Sequence, residues 1–157
     1  MKFAAMGLAE ARRGNFSFVV DTMYLNLQQG VTVPGFGAYS GASARTQSVQ
    51  VTVIGLYTVA EGSAGRIELG GGIRGWWFDT ELTLDPGLLP GRSVGSSTSW
   101  VDPVLSARGV LRLNDQWAIT AYGDVGGFGV GSQFTSQAFA TIGYEITESI
   151  SVSAGFR

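Results

Sequence analysis

Cysteine and histidine are both missing from the 157 residues. Without cysteine there is no disulfide, no thiolate nucleophile and no thiolate-held metal. Without histidine, Ser-His-Asp and Cys-His catalysis are excluded, together with most transition-metal sites. Lys2 is the single lysine and the formal net charge is -2, so no basic patch offers itself to nucleic acid. Charged residues make up only 14%, against roughly 25% in ordinary soluble domains. Mean hydropathy is positive at +0.19, yet no run approaches the roughly 20 apolar residues of a membrane helix. No signal peptide is visible either, because Glu10, Arg12 and Arg13 interrupt the apolar stretch behind Lys2. The chain therefore reads as cytosolic, or as a mature or partial form of an exported protein.

Glycine is abundant, at 24 residues, about twice the average rate. Gly70, Gly72 and Gly75 in "RIELGGGIRG" spell G-x-G-x-x-G behind a short apolar run, the pattern of a dinucleotide loop. Such a loop opens a helix, whereas "WWFDTEL" continues as a strand. The same holds for "GDVGGFGVG" at 123–131. These glycines are expected to let a tightly curved sheet bend and to make room for larger side chains beside them. No cofactor and no metal are expected.

Alternation with period two dominates the rest. In "ISVSAGF", Ile150, Val152, Ala154 and Phe156 share one face, while Ser151, Ser153 and Gly155 share the other. "SVQVTVIGLY", "WAITAYGDV" and "WVDPVLSARGVLRL" alternate in the same way, and none shows the 3.6 period of a helix. The pattern predicts eight strands, at 2–12, 16–27, 45–60, 66–83, 100–113, 117–130, 133–146 and 150–157. Several exceed the usual five or six residues of a soluble sheet and match the roughly 9–11 of a tilted transmembrane strand. Asp102-Pro103 falls near the start of its strand, where proline suggests a bulge.

Short and longer links alternate. Arg13-Gly14-Asn15, "EGSAG", Asn114-Asp115-Gln116 and Thr147-Glu148-Ser149 are tight. Residues 28–44 and 84–99 are long, rich in Gly and Ser, and read as flexible external loops; a smaller Gly-rich link spans 129–132. An up-and-down outer-membrane barrel has this asymmetry. Aromatic residues agree: Phe16, Tyr57, Trp117 and Tyr144 stand beside short turns, while Tyr24, Trp77 and Trp100 stand toward the long links. Two such girdles match the two interfaces of a bilayer.

The two faces differ in charge. Glu10, Asp21, Glu68, Arg74, Asp102, Arg108, Arg112, Asp124 and Glu145 lie on the polar parity and are expected to form a lumen network of ion pairs and hydrogen bonds. The opposite parity, with Val49, Val51, Val53, Ile67, Leu69, Ile73, Ile119, Val125, Ile150 and Val152, carries no mid-strand charge. A lipid-facing charge near the midplane would cost roughly 2–4 kcal/mol. A soluble barrel would instead place charges on its outer face. The expectation is an all-β, antiparallel up-and-down transmembrane β-barrel forming one domain over 1–157.

"FAAMGLAEARRGNFSFVVDTMYLNL", "SWVDPVLSARGVLRLNDQWAITAYGDVGGFGVGS" and "FATIGYEITESISVSAGFR" resemble the uncharacterised outer-membrane β-barrel proteins of Gram-negative bacteria. The turn before Trp117, the Asp-Val-Gly-Gly run and the closing Gly-aromatic-Arg carry the likeness most specifically. Such proteins usually have a signal peptide, an aromatic-rich first strand and a terminal aromatic strand, none of which is present. The first strand runs down to a short turn and the last runs up from one. One more strand at each end is therefore expected, making a fragment of a ten-stranded barrel. The resemblance brings no assigned activity with it.

Three functions follow as candidates. The first is a structural or interaction protein of the bacterial outer membrane, monomeric, with lipid as its partner and a lumen filled by side chains. The second is a narrow channel for small solutes or ions. The third, a lipid-modifying enzyme using Asp79 with Glu81 or Asp102 with Asp124, lacks the histidine base such chemistry wants. No enzyme activity is expected.

Overall fold

A computed structural model describes residues 3–32, 37, 39–147 and 150–156. For residues 31–32, 145–147 and 150–153 it describes the backbone alone. The alternating segments form β1 (Phe3–Arg13), β2 (Phe16–Thr32), β3 (Tyr39–Gly62), β4 (Gly65–Pro86), β5 (Arg92–Arg112), β6 (Trp117–Gly126), β7 (Thr135–Thr147) and β8 (Ile150–Phe156). They make one eight-stranded antiparallel sheet in sequential, up-and-down order, with β1 and β8 at its two ends. The all-β meander expected from the sequence is what the chain adopts.

Tight turns close one end of the hairpins. Gly14, at φ 58°, takes the left-handed conformation that turns β1 into β2. Asn114 Oδ1 accepts the backbone N–H of Gln116 at 2.9 Å and of Trp117 at 2.8 Å, an Asx turn between β5 and β6.

At the other end the expected long loops are mostly strand. β2 extends to Thr32 and β3 starts at Tyr39, while β4 extends to Pro86 and β5 starts at Arg92, leaving 87–91 as the turn. Gly and Ser suggested loop, but the first hydroxyl of "SVGSSTSW" finds partners across the hairpin. Ser93 Oγ donates to Glu81 at 2.9 Å and lies 3.2 Å from the Thr83 hydroxyl. The result is strands of 24, 22 and 21 residues for β3, β4 and β5. β6 is shorter than expected, ending at Gly126.

Pro103 sits inside β5 without a bulge being needed. Its carbonyl accepts the Gly127 N–H at 3.1 Å, and the β5–β6 ladder runs from Val104 opposite Gly126. The donor that proline lacks falls one position beyond the last rung, so no rung is lost.

Two compact units divide the chain. One holds 1–8, 21–51 and 75–100, and the other 9–20, 52–74 and 101–157. In the second, Gly70 and Gly72 show why the motif in β4 needs glycine. A methyl group at Gly70 would strike the Gly55 carbonyl oxygen, and one at Gly72 the Val53 carbonyl oxygen. The glycines admit the β3 backbone itself, rather than making room for side chains. The apolar core also lies in this unit: Val19, Ile54, Leu56, Val104 and Tyr122 are buried, with Phe139 against them.

Candidate functional site

The charged residues of the second unit gather where the sheet curls. β1 and β5 stand four places apart in the sheet order. In a flat sheet they would be about 19 Å apart at the ordinary strand spacing. Yet both terminal guanidinium nitrogens of Arg108, Nη1 and Nη2, donate to the Glu10 carboxylate, each at 2.7 Å. This fork-on-fork pair is possible only because the sheet between them bends round.

Glu68 is the hub. It is 0% exposed and accepts Arg108 Nε at 2.5 Å and Arg66 Nε at 3.2 Å. Thr58 Oγ1 at 3.4 Å and Ser17 Oγ at 3.5 Å add weaker contacts, and Arg12 approaches to 3.8 Å. Opposite charge and hydrogen bonds together offset the cost of burying this carboxylate.

A second pair lies in the same unit. Arg74, 1% exposed, donates to Asp124 Oδ2 at 2.6 Å and to Thr52 Oγ1 at 3.0 Å. The Tyr122 hydroxyl donates to the same carboxylate oxygen at 2.8 Å. Tyr122 and Phe139 face each other across β6 and β7, their rings stacked at 4.7 Å.

Asp102, fully buried, does something different. Its two oxygens accept the Ser132 backbone N–H and hydroxyl, both at 2.7 Å. It pins the β6–β7 link, where Gly127, Phe128 and Gly129 all have positive φ.

Other expected network members lie elsewhere. Asp21 is buried within the first unit. Arg112 is not buried in a network: its side chain is 48% exposed and reaches Glu61 only at 3.9 Å, because it stands on the last rung before the tight turn. The side chain of Glu145 lies outside the described residues. Arg12, Arg66 and Tyr122 join the two clusters without having been expected there, although each shares the parity of a residue that was: Glu10, Glu68 and Asp124 respectively.

The aromatic residues pair largely by end. Phe16 and Tyr57 meet edge-on at 4.9 Å, Trp117 and Tyr144 at 4.9 Å, and Tyr24 meets Phe3 at 6.1 Å. Trp77 is exposed. Trp100 departs from the expected girdle: it stands with Trp76 and Phe78, on the face of β4 opposite to Trp77, with ring centroids at 6.0 and 5.5 Å. Even parity on β5, which it shares with Asp102, puts it there.

Three of the four carboxylates considered for catalysis are engaged. Asp102 holds Ser132, Asp124 holds Arg74 and Tyr122, and Glu81 accepts from Ser93. Among the described residues no group of three or more Asp or Glu is placed to hold a metal ion. Compared with protein-family models, with curated proteins and with solved structures, the chain matches none.

Proposed function

We propose that this chain is an outer-membrane β-barrel protein of Gram-negative bacteria, structural or interactive in role, with a lumen filled by side chains and its long hairpins turned outward. The observation that carries this reading is an inverted distribution of polarity along single strands. On β4, Glu68 and Arg74 are buried, while Ile67, Leu69 and Ile73 between and beside them are 53%, 49% and 55% exposed. Leu105 and Val125 repeat the pattern on β5 and β6 beside buried Asp102, Arg108 and Asp124, and Ile142 on β7 is likewise exposed. Water penalises such an arrangement, and lipid favours it.

The reading also requires both sheet edges to be paired, since hydrocarbon satisfies no backbone group. Two further strands would do this and give a barrel of ten; direct pairing of β1 with β8 would give eight.

Ile73→Arg separates lipid from water. Against lipid near the midplane the change costs roughly 2–4 kcal/mol; at a water-exposed site it costs within about 0.5 kcal/mol. Urea unfolding of the refolded protein in vesicles measures the difference, and a near-neutral result would overturn the membrane reading.

A narrow channel is the second reading. A cavity of about 690 Å³ opens beside Arg66, Arg112, Gln116 and Trp117, where Ala118, Thr120 and Gly143 carry small side chains. Planar-bilayer recording of the full-length protein decides between the two. The filled lumen predicts no discrete current steps, and stepwise conductance would favour the channel.

A further inference from the structure

The first unit holds an aromatic surface that neither reading uses. Trp76, Phe78 and Trp100 lie mutually near-parallel, with centroids 5.7, 6.0 and 5.5 Å apart and planes within 23°. Three rings in one column at van der Waals spacing would put the outer two at least about 7 Å apart. No pair here exceeds 6.0 Å. The rings therefore do not form a column: they tile a staggered platform. All three are half-buried.

Two features qualify what such a platform suits. Trp76 Nε1 is buried and has no hydrogen-bond partner among the described residues. A donor so placed calls for an acceptor. Away from the charged cluster the even-numbered neighbours of the rings are uncharged and rich in hydroxyls: Thr46 and Ser48 on β3, Thr80 on β4, Ser96 and Thr98 on β5. In the other direction along β4 and β5 stand Arg74 and Asp102, which are engaged with Asp124 and with Ser132.

We infer that the platform binds a neutral saccharide ring. Its C–H face would lie on the tiled rings, a ring or hydroxyl oxygen would accept from Trp76 Nε1, and its rim would meet the hydroxyl collar. An aliphatic chain offers no acceptor to the indole N–H and leaves the hydroxyls unused. A charged ligand finds no counter-charge among the hydroxyl-bearing positions, and Arg74 and Asp102 beyond the rings already hold partners. The inference does not depend on what faces the outer side of the sheet, so it stands or falls separately from the membrane reading.

The test is intrinsic tryptophan fluorescence of the full chain in an amine-oxide detergent, since alkyl maltosides carry the ligand's own chemistry. The probes are maltohexaose, cellohexaose and N-acetylated chitotriose, with sodium decanoate and caffeine as aliphatic and planar-aromatic comparisons. At least one oligosaccharide should give a saturable change that Trp100→Ala abolishes and Trp77→Ala preserves. Trp76→Phe keeps the ring and removes only the donor; it should weaken the affinity roughly fivefold, the worth of one neutral hydrogen bond. Circular dichroism checks that each variant is folded, and Phe78→Leu replaces Trp100→Ala if that protein does not fold. No saturable response to any of the three sugars overturns the inference. So does a response to caffeine or decanoate alone, or an unchanged sugar response in the folded platform variant.

Discussion

Glu68 meets three arginines while wholly buried, whereas Glu61 meets its arginines at 3.9 Å with its side chain 44% exposed. The contrast sets their worth. Removing Glu68 leaves Arg108 in a desolvated site with only Glu10, and one-sided loss of a buried pair typically costs 3–5 kcal/mol. Because Arg12 and Arg66 are partly exposed and can turn toward water, Glu68→Ala is expected at the lower end, about 3 kcal/mol. Arg112→Ala, losing only a distant and exposed partner, should cost under about 1 kcal/mol. Urea midpoints at constant slope measure both, and equal effects would mean that Glu68 is not the hub. Parity alone placed Arg74 and Asp124 on the charged face. It could not say that they would meet, because they stand on β4 and β6, and their pairing depends on a curl that no local pattern encodes.

The link between β6 and β7 is anchored from β5. Asp102 lies on β5 and grips Ser132 through two hydrogen bonds of 2.7 Å, while the adjacent Pro103 carbonyl takes the Gly127 N–H. Hydrogen bonds to a charged group contribute roughly 1.5–3 kcal/mol. Asp102→Asn keeps the shape but loses the charge and one acceptor. Protection of the Ser132 amide from hydrogen exchange should fall roughly tenfold or more, with the mid-strand amides of β5 unchanged. Unaltered protection would show that the backbone, with its positive φ at Gly127, Phe128 and Gly129, holds the link unaided. At this scale the sequence was legible wherever alternation and turn residues agreed, as at Gly14–Asn15 or Asn114. Over 84–99, where no alternation spoke against it, composition alone was a poor guide. Serine and threonine can line a strand as readily as a loop, and here Ser93 bonds across the hairpin to Glu81. Trp100 follows the same rule, since nearness to a long link said nothing about its face, which parity fixes.

For the whole molecule, the open question is how the edges are closed. β1 and β8 end the strand order, and β8 pairs with β7 in a register that sets Ile142 opposite Ala154. In hydrocarbon each unpaired backbone group costs several kcal/mol, so a membrane sheet cannot keep two free edges of this length. The absence of cysteine makes the closure directly measurable, because any disulfide formed must join introduced residues. Ile142→Cys with Ala154→Cys should cross-link readily, since directly opposed strand residues lie within disulfide reach. In the protein expressed from its complete gene, a ten-stranded barrel places two further strands between β1 and β8. Ala154→Cys combined in turn with Ala4→Cys, Ala5→Cys and Ala9→Cys should then give no intramolecular disulfide. A cross-link at any of these three positions, with the Ile142 pair as the positive control, would close the barrel at eight and remove the need for further strands.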